Sequence, residues 1–180
     1  MGEGAGFVML QRVADVSASG PRPFGLVLGH ASTADAHHLV APSPDGAGAA
    51  RCMALALADA GVGPQDVGHV NAHGTSTVLN DRAEAAAIQT VFRGSRPPVT
   101  AVKGTTGHMI GGSGAVEAIV SLIALRHRLV PPVTGLRTVD ADLDLDVVQA
   151  APREQQAGCA VSNSFGFGGT NTSLVLAAAE

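Results

Sequence analysis

Apolar and polar positions along this chain switch repeatedly between a period near two and a period near 3.6, the two signatures of strand and helix. Gly6 to Val13 reads as extended and β-prone, and Pro21 and Pro23 then break the chain. A second strand is predicted over Phe24 to Leu28, running into a polar loop, GHASTADAHH, and a turn-rich linker from Pro42 to Gly48. Ala49 to Ala60 reads as a helix, ended by Gly61 with Pro64 beyond. A short strand ending at Asn71 and Ala72 follows, then a helix over Asp81 to Phe92, with Asn80 or Asp81 as its cap. After a loop from Arg93 to Pro98, PVTAVKG reads as a strand, and the glycine-rich GHMIGGSG turns into a long helix from Gly114 to Arg128. Pro131 and Pro132 stop it. Leu143 to Val148 alternates as a strand between acidic residues, and CAVSNSF and SLVLAAA are closing strands around a glycine loop, GFGG. Helices alternating with strands, closed by two further strands, predict a layered α/β fold.

Composition narrows the possibilities. A length of 180 residues suits one domain, and 46% hydrophobic against 14% charged residues excludes bulk disorder. A chain of this size buries about 69% of its unfolded surface, enough for a real core. The net charge of -4, the lack of a basic run and the absence of Trp and Tyr argue against a nucleic-acid stacking platform. No apolar stretch reaches about 18 residues without a charge, so no membrane span is expected, and the N-terminus has no basic region ahead of its apolar run, as a signal peptide would. Cys52 and Cys159 show no metal spacing and read as buried core thiols of a reducing compartment. The aromatic residues are five Phe, while Gly numbers 23, so the core must consist of small aliphatic side chains packed closely.

Certain polar residues make no local sense. Between Met109 and Leu125 the sole charge is Glu117, on a helix whose apolar residues cover every face. Such a helix is expected to be buried, and a buried carboxylate needs a cation or several donors. The plainer alternative places Glu117 in the helix's first turn, interacting with the backbone dipole. Lys103 is the one Lys in a chain whose other ten basic residues are Arg. It ends a predicted strand just before a glycine turn, where a compact ammonium rather than a planar fork is called for. A surface Lys is the alternative; Glu117 is its most plausible charge partner. His73, in VNAHGTST, and His108, in KGTTGHMIGGSG, each follow an apolar run and are flanked by Gly and Thr. Strand ends are where α/β folds mount chemistry. His30, His37, His38, His69 and His127 lack that context and read as solvated. GGSGAVE lacks a full nucleotide fingerprint, and GFGGTN precedes a strand rather than a helix. Both glycine segments read as places where backbones approach closely.

Taken together, GEGAG (2–6), VNAHGTST (70–77) with NDRAEAAAI after it, KGTTGHMIGGSGAVEAI (103–119) and NSFGFGGTN (163–171) resemble the β-ketoacyl synthase family of the thiolase-like superfamily, across essentially the whole chain. The resemblance implies an α/β thiolase-like fold: residues 36–180 as the C-terminal half, with a mixed sheet, and residues 1–35 as the last two strands of the N-terminal half. It implies decarboxylative condensation of an acyl thioester with malonyl-acyl carrier protein, in fatty acid or polyketide synthesis, in the cytoplasm. By motif His73 and His108 resemble the two catalytic imidazoles and Lys103 the lysine beside them, with Glu117 supporting it. Thr75 and Thr77 resemble contacts to the phosphopantetheine arm of the carrier protein, and Phe167 a gate. Asn71, Glu117, Ser162 and Asn163 resemble a structural monovalent-cation cluster seen in some members. No metal or redox cofactor is implied, and the complete enzyme is expected to be a dimer. The family's nucleophilic Cys belongs at a helix start, and neither Cys52 nor Cys159 qualifies. The expectations left open are therefore a fragment inactive alone, half of a split synthase, or a non-catalytic partner resembling a chain-length factor.

Overall fold

The structure, a computed structural model, describes residues 1–155 and 158–179. Strand β1 (Gly25–Ala34) is followed by helix α1 (Ala47–Ala60), strand β2 (Val67–Asn71), helix α2 (Val78–Val91) and strand β3 (Val99–Thr100). A one-turn helix α3 (Lys103–Thr106) and the long helix α4 (Ser113–His127) come next. Short strands β4 (Leu129–Val130) and β5 (Arg153–Glu154) pair with each other, and β6 (Cys159–Gly166) and β7 (Thr170–Ala178) close the chain. The main sheet runs β1-β7-β6-β2-β3. β2 lies parallel to both β3 and β6, whereas β7 is antiparallel to β6 and β1, so the sheet is mixed as expected.

Strand alternation divides the interior into two layers. Val70 and Val161 face α1 and α2, packing with Cys52, Met53, Leu57, Ile88 and Phe92. Ala160 and Leu176 face α4, packing with Leu125 and the half-buried Leu122. Small side chains make these layers thin: beside Gly29 any side chain would strike the backbone of Ala56 and Ala60 in α1.

Several elements differ from the sequence expectation. Gly6 to Val13 forms no strand; Gly6 packs against Ala115 of α4, the chain from Phe7 on is exposed and unpaired, and a single 3-10 turn follows at Val13–Asp15. A β-prone run without a partner strand has nowhere to send its backbone hydrogen bonds. β1 extends six residues past Leu28, through GHASTA, because β7 offers pairing partners up to Ala34. α2 starts three residues before Asp81, and its Thr77 cap makes no side-chain hydrogen bond to the helix backbone. Leu143 to Val148 is no strand: one bridge joins Val147 to Val99. The acidic run there is held by ion pairs instead, Asp142 with Arg82, Asp144 with Arg96 and Asp146 with Arg153.

α4 is also not buried all round. Its most deeply covered face carries Ser113, Glu117, Ser121, Ala124 and Leu125, while Ala115, Val116, Ile119, Val120 and Leu122 are half-covered and Ile123 is exposed.

His69, expected to be solvated, is instead buried on β2, its Nδ1 2.8 Å from Gln155 Oε1. Burial lowers its pKa to about 4, against the pull of that hydrogen bond. A histidine whose folded pKa lies below its unfolded value stabilises fully above about pH 6.5 and loses that stability as pH falls. His69 should therefore contribute a slope of about 1.4 kcal/mol per pH unit between roughly pH 6.5 and 4. Denaturant titrations at pH 7 and pH 5 on the wild type and His69→Gln check this: the wild type should lose more stability on acidification, and an identical loss in both would refute it.

Candidate active site

The parallel strands β2, β3 and β6 point their C-terminal ends the same way, and the unusual polar residues gather there. His73 sits two residues past β2, Lys103 opens α3 just past β3, and Phe165 lies near the end of β6. His108 arrives from the loop between α3 and α4. That loop is braced by the N-terminal GEGAG segment. Gly2 N–H donates to the His108 carbonyl at 2.9 Å. Gly4 and Gly112 meet backbone to backbone, and Gly107 (φ 69°) packs against Gly2, so side chains at these positions would separate the two segments.

The structure brings His73, His108 and Lys103 to one point. The imidazole rings of His73 and His108 lie 5.4 Å apart between centroids, nearly perpendicular. Lys103 Nζ donates to the His73 carbonyl at 2.5 Å, lies 3.3 Å from His73 Nδ1 and pairs with Glu117 Oε1. Lys103 is thus the first residue of a helical turn rather than the end of a strand, and it is buried rather than a surface Lys. Glu117 lies on the second turn of α4 with a lysine partner rather than relying on the helix dipole. Burial raises the Glu117 pKa, opposed by Lys103.

Hydrogen bonding orients both imidazoles. Lys103 faces His73 Nδ1 as a donor, and Ile110 N–H donates to His108 Nδ1 at 3.1 Å. Each Nδ1 is therefore an acceptor and each Nε2 carries the proton. Burial lowers the pKa of His73 to about 3, with the charge of Lys103 and then His108 adding to it. Burial and then Lys103 lower that of His108. Near neutral pH the site thus presents two neutral N–H donors beside a buried ion pair.

Among the remaining expected residues, Thr75 is half-buried and Thr77 exposed, with their hydroxyls 2.8 Å apart, and Phe167 is 79% exposed on the turn between β6 and β7. Asn71 Nδ2 donates to Ser162 Oγ at 3.2 Å. Asn71 Oδ1 and Glu117 Oε2 are buried and have no hydrogen-bond partner among the described residues. Oxygen acceptors left unpaired in this way suit a monovalent cation. The Asn163 side chain does not join them. It follows Ser162 on β6 and so points to the opposite face, contacting Ser173, Glu84 and Met53. Cys52 is buried inside α1 and Cys159 at the start of β6, where burial and then Asp66 push its pKa up to about 11.

Sequence reasoning missed two residues. Phe165 packs its ring 5.8 Å from His73. Glu84, buried on α2, accepts the backbone N–H groups of His73 and Gly74 at 2.8 and 2.9 Å and the Asn163 side-chain Nδ2–H at 3.2 Å. Burial raises its pKa, opposed by those three donors. A carboxylate among Ala83, Ala85, Ala87 and Ile88 was its visible signal, the same anomaly that marks Glu117.

With this geometry in place, comparison with known proteins identifies its class. Residues 24–137 match the family model described as β-ketoacyl synthase, C-terminal domain. The chain belongs to the β-ketoacyl synthase family. It is 43% identical over 176 residues to a 3-oxoacyl-[acyl-carrier-protein] synthase 2 from Synechocystis sp., covering 97% of this chain and 42% of that protein. It is likewise 43% identical to the synthase of the same name from Rhizobium meliloti, covering 98% and 42%. The chain thus spans less than half the length of these relatives. Among solved structures, the ishigamide ketosynthase/chain length factor superposes with a TM-score of 0.82 at 38% identity, covering 87% of this chain and 38% of that one. A type II polyketide ketosynthase in complex with its acyl-carrier protein gives 0.83 at 31%, covering 87% and 39%. The thiolase-like ketosynthase fold is thereby established.

Glu84 holds the turn that carries His73, so Glu84→Gln should destabilise the protein by about 1–3 kcal/mol, because an amide cannot accept both N–H groups. Denaturant unfolding measures this; an unchanged midpoint would show that the carboxylate is not clamping the turn.

Proposed function

We propose that this chain supplies the malonyl-decarboxylating half of a β-ketoacyl-acyl carrier protein synthase. The observation that carries this reading is the convergence of two Nε2–H imidazoles, 5.4 Å apart, with a buried lysine. In a malonyl thioester the bond to the carboxylate breaks, carbon dioxide leaves, and the electron pair moves onto the thioester oxygen as an enolate. Two fixed donors aimed at that oxygen stabilise the charge without reorganisation. Both imidazoles are held neutral near pH 7, so they can donate from Nε2 with Nδ1 already occupied. Lys103 fixes the tautomer of His73 and adds positive potential in a water-poor place. The enolate carbon then attacks an acyl thioester and displaces its thiol. Neither Cys52 nor Cys159 is placed to hold that acyl group, so the reading assigns the thiol to polypeptide outside these 180 residues and expects this chain to be inactive in condensation alone.

The same reading extends to the substrate arm. The half-buried Thr75 and the exposed Thr77 offer hydroxyls just past His73, suited to the amides of a carrier protein's phosphopantetheine arm, and Phe167 offers an exposed apolar ring two residues after Phe165. Asn71 Oδ1, Ser162 and Glu117 Oε2 would hold a monovalent cation that stiffens this end of the sheet; Asn163 could contribute only through its backbone.

The half-covered aliphatic flank of α4 and the exposed Phe7, Met9 and Leu10 favour a covering partner, either a Cys-bearing N-terminal half or a companion subunit. A purely scaffolding role is the second reading. The retained imidazole pair with its assigned tautomers speaks against it, since scaffolding needs neither.

Two outcomes are expected. Expressed alone, the chain should self-associate; a monodisperse monomer in sedimentation velocity would count against an uncovered apolar face. Co-expressed with a Cys-bearing N-terminal half, it should release carbon dioxide from malonyl-acyl carrier protein, and His73→Ala or His108→Ala should each lower that rate by about 10²- to 10³-fold. Rates surviving both substitutions would sink the assignment.

A further inference from the structure

α4 carries a line of buried polar residues on a helix that is otherwise apolar up to Leu125. Ser113, Glu117 and Ser121 stand four residues apart, one helical turn each, and all three are buried. Glu117 holds Lys103, and Ser121 Oγ donates back to the Glu117 carbonyl at 2.8 Å. Ser113 Oγ accepts Met109 N–H at 3.0 Å and lies 3.3 Å from His108 Nδ1. A hydroxyl has one proton. With its oxygen already accepting from Met109, that proton is free for the imidazole nitrogen.

We infer that Ser113 is a positioning residue for His108: its hydroxyl donates to Nδ1, holding the ring neutral with Nε2–H presented to the cleft. This rests on the reaction proposed above. Ile110 N–H is the other donor to Nδ1, but Ile110 is exposed and sits at φ 53°, a left-handed conformation that β-branched residues rarely adopt. That donor rides on a strained loop, whereas Ser113 belongs to the buried first turn of α4. Two donors on Nδ1 oppose protonation there, because an imidazolium N–H would face two other donors. The same helix face therefore sets both His108, through Ser113, and Lys103, through Glu117. Its turn spacing keeps the two groups in register.

The charged and titratable groups facing His108 are His73 beyond β2, Lys103 of α3 with Glu117 behind it, and the Met1 amino group of the N-terminal segment. None of them replaces the hydroxyl, since none donates to Nδ1 from the α4 side.

The test is nitrogen-15 NMR of the imidazoles in the full chain. The wild type should show His108 as a single Nε2–H tautomer with an accepting Nδ1. Ser113→Ala should weaken that hydrogen-bond signature and raise the titration midpoint of His108. Ser113→Asp, which presents an acceptor, should raise it further and populate the Nδ1–H form. Ser113→Thr, which retains the hydroxyl, should restore the wild-type signature, and comparing it with Ser113→Val gives the same contrast at constant volume if Ala disturbs folding. In the enzyme completed by its N-terminal half, Ser113→Ala should lower decarboxylation by about three- to tenfold, with Thr restoring it. An unchanged tautomer signature and midpoint in folded Ala, Asp and Val variants would overturn the inference. The NMR readout needs no substrate. A locked His108 in a completed enzyme that releases no carbon dioxide therefore supports the Ser113 assignment while refuting the proposed reaction.

Discussion

The buried pair of Lys103 and Glu117 is the constraint around which this end of the molecule is arranged. Both side chains are almost wholly out of water. Desolvating two charges costs several kcal/mol per ion, offset only if each finds good partners, and removing one partner of such a pair costs about 3–5 kcal/mol. Lys103 finds Glu117, the His73 carbonyl and His73 Nδ1. Satisfying the ammonium therefore draws the β2 end, the β3 end and α4 together. The site is a consequence of neutralising that charge inside the fold, and the tautomer of His73 follows from it.

A second carboxylate works by different physics. Among the described residues Glu84 has no cation partner, and it is held by three N–H donors, two from the His73 turn itself. Glu117 thus governs the orientation of the His73 ring through Lys103, while Glu84 governs its backbone. His108 is fixed separately, with its carbonyl tied to Gly2 and its ring nitrogen tied to α4 and Ile110. The two imidazoles face each other because α4 holds both rings, one through Glu117 and Lys103 and the other through Ser113, while separate turns carry their backbones. The interleaved glycines of the N-terminal segment and of the loop before α4 permit the second of these turns.

The family assignment and the local chemistry agree at different scales. The match to the β-ketoacyl synthase C-terminal domain covers most of the chain, and the fold it defines places strand ends where the imidazoles stand. Helix α4 is polar where most buried and aliphatic where half-covered, and the N-terminal segment turns its apolar side chains to solvent; both suit the covering partner proposed above. The relatives it matches are more than twice its length.

Much of this was legible in the sequence because anomalies are local. A lone Lys in an Arg-rich chain, a lone Glu on an apolar helix, and two His between Gly and Thr after apolar runs mark themselves without coordinates. Helices α1 and α4 were also readable, since their runs of helix-forming residues and Gly61 are written in adjacent residues, although α4 ends at a left-handed Arg128, with β4 between it and the prolines. The tertiary structure decided whatever depends on a partner distant in the chain. The β-prone run at Gly6 found no strand to pair with, β1 lengthened because β7 extended beside it, and the acidic run near Asp144 was captured by arginines from three places. Strand alternation sent Ser162 to one face of the sheet and Asn163 to the other. Glu84 and Ser113 acquired their roles only when folding brought the His73 and His108 turns against them. Composition and spacing can announce a buried charge, but which atoms will satisfy it is settled by packing, because hydrogen bonds are made to neighbours in space.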